Sequence, residues 1–75
     1  MPNIVSVNFK VKVTNPNMPV KQGGLKKGAV LDVFLIYQDS YPGGDIFLYW
    51  VWNEKIGRNL WESANQFKVL SQSNE

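Results

Sequence analysis

The chain has no cysteine and no histidine. That excludes disulfides, thiol nucleophiles, imidazole bases and the usual zinc ligands together. Arginine occurs once, at Arg58. No apolar run approaches the roughly 20 residues that a membrane-spanning helix needs. Met1-Pro2-Asn3-Ile4 lacks the basic region and apolar stretch of a signal peptide. A cytoplasmic location without a membrane partner is therefore expected, and the missing cysteine suits a reducing compartment. Dinucleotide and phosphate-loop glycine motifs are lacking, as is Gly-x-Ser-x-Gly.

What the chain does have is large apolar side chains. Its 75 residues are 44% hydrophobic and include three Trp, three Tyr and four Phe. A chain of this length buries only about 60% of its unfolded surface, so these rings are expected to supply most of one small core. The hydrophobic content also excludes a disordered chain. A single domain over residues 1–75 follows, with a core over about residues 4–70 and a polar tail at Ser71–Glu75.

Charge is unevenly spread. Net charge is +2, yet residues 1–30 carry Lys10, Lys12, Lys21, Lys26 and Lys27 and no acid. The acids all follow, from Asp32 onward. Such asymmetry marks either a basic face for nucleic acid or a solvated lysine face that blunts strand pairing.

Alternation is clearest from Ile4 to Val13. Val5, Val7, Phe9, Val11 and Val13 share one face; Ser6, Asn8, Lys10 and Lys12 share the other. Period two with β-branched residues predicts a half-buried strand. Thr14–Gly28 holds Pro16, Pro19 and three glycines, which predicts a long connection with Val20 and Leu25 as anchors. A second strand is predicted over Ala29–Tyr37, with Leu31, Val33, Leu35 and Tyr37 on one face. Gln38–Gly44 reads as a loop and Asp45–Trp52 as a third strand. Gly57 is the expected positive-φ residue of a turn over Asn53–Asn59. A fourth strand begins at Leu60-Trp61, Ser63–Gln66 suits one 3₁₀ turn, and Phe67, Val69 and Leu70 form a last strand.

Five short strands at this spacing predict an all-β chain forming a small closed or nearly closed barrel. The order of connections resembles the SH3-like barrel over roughly residues 9–70. Leu25-Lys26-Lys27-Gly28 is similar to that family's entry into its second strand, and Trp61–Val69 to its turn-plus-strand ending, with Asn65 and Phe67 near its Asn and aromatic positions. The proline-peptide-binding signalling subfamily does not fit. Phe9-Lys10-Val11-Lys12-Val13 stands where that subfamily has Ala-Leu-Tyr-Asp-Tyr, and residues 14–28 lack its acids. In style the chain resembles small bacterial and phage members.

Catalysis finds no constellation here. Asp39 and Asp45 flank one loop, but calcium takes six to eight oxygens. Glu54 and Glu62 sit either side of a turn and read as surface charges. A non-enzyme with no cofactor and no metal is expected. The aromatic surplus is the stronger signal. The third strand is apolar on both faces, and a small barrel admits one. Phe47, Tyr49 and Val51 are expected inside, with Trp50 and Trp52 outside. The outward rings, Trp50, Trp52, Tyr41 and Trp61 with Asn65 beside them, are the expected site for a protein partner or a second copy. Coverage by the N-terminal segment is the plain packing explanation. The alternative function is nucleic-acid binding through Lys10, Lys12, Lys26 and Lys27.

Overall fold

The computed structural model describes residues 2–70; the expected polar tail, Ser71–Glu75, lies outside the described residues. Five strands form one antiparallel sheet: β1 (Asn3–Val13), β2 (Val30–Tyr41), β3 (Gly44–Asn53), β4 (Arg58–Ser63) and β5 (Phe67–Val69). Their spatial order is β4-β3-β2-β1-β5. Short 3₁₀ turns occupy Val20–Gln22 and Ala64–Gln66. Among the described residues no helix is long and apolar enough to cross a membrane.

The expected closure into a barrel is not observed. β4 and β5 lie at opposite edges of the sheet, which stays open. β5 is three residues long and pairs with Val11–Val13 of β1. The end of the sheet near it is tied by Gln66 instead of a strand ladder. The Gln66 carbonyl accepts from the backbone N–H groups of Thr14 (2.9 Å) and Asn15 (3.0 Å). Its side-chain amide donates to Glu62 Oε1 (3.0 Å) and the Ser63 carbonyl (3.3 Å), and Oε1 accepts from the Asn17 N–H (3.1 Å).

The core is small and built mainly of valine. Val11, Val13, Val33 and Val51 are fully buried and Leu25 nearly so. Alternation along β1 explains this directly, because Val7 and Phe9 join the same cluster. Phe9, Tyr49 and Phe67 are the rings packed against the valines, with Tyr49 5.6 Å from each of the other two. The remaining seven of the ten rings are not part of this cluster.

β2 departs from its expected pattern. Leu31, Val33 and then Ile36 pack on the core, so Leu35 and Tyr37 turn to the opposite face. The switch falls where β1 carries one extra residue against β2, between Ser6 and Phe9. A bulge re-aims side chains in this way. β2 also continues through the expected loop. It runs to Tyr41 and returns through Pro42-Gly43, with Tyr41 opposite Gly44. Pro42 presets the turn, and Gly44 at φ 135° supplies a backbone angle other residues avoid. This hairpin extends past the core. Phe47, expected inside, therefore remains 45% exposed, while Tyr49 packs on the core and Val51 is fully buried.

The long connection is anchored by Leu25 but not by Val20, which is exposed. Buried Asn53 holds its tip, donating from Nδ2 to the Gly23 carbonyl (2.8 Å) while Oδ1 accepts from the Ile56 N–H (3.0 Å). One side chain thus fixes both the connection and the β3–β4 turn.

Candidate functional site

Burial of Val51 sets the neighbouring face. Trp50 and Trp52 flank it in the strand and project away from the core. Trp50 lies directly opposite Trp61 of β4. Their ring centroids are 4.9 Å apart with a 53° tilt, and Tyr37 meets Trp61 at 6.1 Å. All three rings are half-buried. Tyr37 also stands between Ile4 of β1 and Leu48 of β3 in the strand register. Tyr37, Leu48, Trp50 and Trp61 therefore form an apolar patch on the outer face of β2, β3 and β4. The N-terminal residues Asn3–Ser6 pair alongside β2 and so extend the sheet rather than lie over it.

A carboxylate, Asp39, sits beside this patch, two residues beyond Tyr37. The Tyr37 hydroxyl donates to Asp39 Oδ2 (3.2 Å), and the Ser40 N–H donates to Oδ1 (2.9 Å). A hydrogen bond from the Tyr41 hydroxyl, with those from Ser40 and Tyr37, holds the Asp39 carboxyl below its ordinary range against the opposing effect of burial. Burial first, then the Asp39 charge, raises the Tyr37 hydroxyl; the hydrogen bond to Asp39 raises Tyr41. The signs predict losses at both pH extremes. A depressed carboxyl stabilises the fold above its unfolded value, and that contribution disappears as pH falls through the folded one. Raised tyrosines favour the fold until pH climbs past their ordinary value near 10, where the unfolded chain ionises first. Ultraviolet titration should place Tyr37 and Tyr41 above ordinary tyrosine, and Asp39→Asn should bring Tyr41 down the further of the two.

The expected site residues do not form one group. Trp50 and Trp61 come together, joined by Tyr37. Tyr41 is exposed at the hairpin end, beside Asp39. Trp52, 50% exposed, lines a separate cleft of about 490 Å³ with Leu25, Lys26, Val30 and Lys55. Asn65 is exposed and accepts from the Ser63 hydroxyl (3.0 Å), a local bond within its own turn. The buried polar hub is its neighbour Gln66. Tyr37, central to the cluster, shares one face with Leu31 and Val33 in the simple alternation of the sequence; the β2 switch separates it from them.

The four lysines are likewise dispersed. Lys10 pairs with Asp32 (2.6 Å) across β1–β2. Lys12 lies opposite Lys68 of β5, Lys26 lines the Trp52 cleft, and Lys27 belongs to the turn entering β2. Both partners of the Lys10–Asp32 pair are more than half exposed. Lys10→Ala should therefore change unfolding free energy by less than about 1 kcal/mol in urea denaturation.

The chain matches no protein-family model, no curated protein and no solved structure.

Proposed function

We propose that the chain is a non-catalytic interaction module that binds a protein partner, or a second copy of itself, through the outer face centred on Trp50, Trp61 and Tyr37. The observation that carries this reading is the Trp50–Trp61–Tyr37 ring cluster lying on the face of the sheet away from the valine core. Tryptophan and tyrosine supply large, rigid contact area and dominate binding hot spots. Ser63, opposite Leu48 in the register, and Asp39, bonded to Tyr37, give the apolar centre polar neighbours, in keeping with the core-and-rim layout of protein interfaces. The long first connection, two tight turns and a 3₁₀ turn before the last strand support reading the fold as an open SH3-like sheet. A small bacterial or phage accessory protein working in the cytoplasm suits this size and composition.

Affinity capture tests the reading. Immobilised wild-type chain should retain a partner that Trp50→Ala loses and that Trp52→Ala, in the separate cleft, still retains. Equal retention by wild type and Trp50→Ala would remove the outer face as the site.

Nucleic acid is the second reading, and the specific observation behind it is the like-charged Lys12–Lys68 pair across β1–β5. No acid stands opposite either residue in the register. Phosphate contacts make affinity fall steeply with salt, whereas apolar capture changes little. Binding assays at two salt concentrations separate the classes.

A further inference from the structure

The pairing of β1 leaves one length of backbone open. β2 runs along one side of β1 from Asn3 to Lys12. On the other side, β5 pairs only with Val11–Val13, and the Leu70 N–H donates to the Lys10 carbonyl (3.0 Å). From Asn3 to Phe9 that second side has no strand partner among the described residues. Open edges invite pairing with another strand, and proteins ordinarily blunt them with charge, proline or shortness. β4, the opposite edge, is six residues long and carries Arg58 and Glu62. Asn3-Ile4-Val5-Ser6-Val7-Asn8-Phe9 carries no charge and no proline.

We propose that this edge pairs with the same edge of a second copy, antiparallel, about a two-fold axis at Ser6. The partner's identity follows from charge and register. β5 already occupies β1 from Lys10 onward, so Asn3–Phe9 is the stretch on offer, and Ser6 is its midpoint. Pairing centred there sets Asn3 against Phe9, Ile4 against Asn8 and Val5 against Val7, and it places both copies' Lys10 beyond the ends of the ladder. An identical strand thus brings no charge against an uncharged edge, and its alternation matches its own. The axis also joins the two outer faces. Ile4 is 58% exposed and lies beside Tyr37 in the register, so the aromatic surface of one copy continues into that of the other. An isologous contact of this kind closes as a dimer and does not propagate. The proposal rests on the self-association arm of the function above and names its geometry.

Sedimentation of the full chain tests it. The wild type should show a monomer–dimer equilibrium. Ser6 is exposed, so Ser6→Lys and Ser6→Glu should fold normally by circular dichroism. Each alone should weaken the dimer at least about tenfold, because like charges meet at the axis. Mixing the two should restore it. The absence of cysteine gives a second arm. Ser6→Cys should form a disulfide-linked dimer on mild oxidation, since opposed strand residues lie within disulfide reach, and Asn59→Cys on β4 should not. A wild type that stays monomeric at every concentration overturns the proposal. So does a dimer that both Ser6 charge variants leave intact. If Trp50→Ala dissolves the dimer and the Ser6 variants do not, the edge is excluded while the outer face stands as a binding surface. If no dimer forms but Trp50-dependent capture of another protein persists, the edge fails alone.

Discussion

Gln66→Leu should lower the unfolding free energy by about 3 kcal/mol in urea denaturation, enough to leave much of so small a domain unfolded. Gln66 is 2% exposed, and its side chain serves three partners on two segments. Leucine keeps most of the volume and removes every hydrogen bond. The Asn17 N–H and the Ser63 carbonyl each lose a partner at a site that Gln66 fills, and the desolvation penalty of such groups is about 1–3 kcal/mol each. The tie between the long connection and the end of β4 goes with them. Asn65→Ala next door should change stability by less than about 0.5 kcal/mol, because Asn65 is exposed and bonds only within its turn. Equal effects at the two positions would mean that Gln66 is not the tie.

Gly24→Ala should destabilise by about 3 kcal/mol or more. Gly24 is buried, and its N–H donates to the Pro19 carbonyl (2.9 Å). A Cβ there would collide with the carbonyls of Met18 and Pro19. Both are backbone atoms of the same tight turn, so relief requires moving the connection that Asn53 and Leu25 hold down. Gly43→Ala is the contrast. Open space surrounds Gly43, and its φ is not positive. That change should be neutral or stabilise by up to about 1 kcal/mol, through the unfolded chain. Thermal melts of the two variants should shift in opposite directions or by very different amounts.

How far the sequence foretold the molecule depends on whether one strand or several decide a feature. Period-two alternation located β1 and identified its inward valines, because half-burial leaves a local mark. Glycine chemistry located the β3–β4 turn, where Gly57 has φ 83°. The short 3₁₀ turn at Ala64–Gln66 was legible for the same local reason. The Leu35–Tyr37 face was not, since its orientation depends on the register between β1 and β2, and a one-residue offset leaves no signature in either strand alone. Closure of the sheet was misjudged because strand count and spacing do not say whether the first and last edges meet. Gln66 escaped notice because a lone glutamine in a polar turn looks like its exposed neighbours until the fold closes over it. The outward direction of Trp50 was legible from the two-faced hydrophobicity of β3, and the place of Trp61 beside it from the turn joining β3 to β4. Their separation from Trp52 was not, because Trp52 lines a cleft with the long connection, which no pattern within β3 records.

The measurement that bears most directly on the central claim is the stability and spectrum of Trp50→Ala. The claim is that the tryptophan cluster lies outside the core and exists for contact with another molecule. Trp50 is half-buried against Trp61 and apart from the valine cluster. Its loss should therefore cost about 1 kcal/mol, the scale of an aromatic pair, while the far-ultraviolet circular dichroism stays that of the native sheet and unfolding remains cooperative. A loss of about 3–5 kcal/mol, the scale of truncating a core aromatic, or collapse of the β spectrum would place Trp50 in the core and contradict the claim.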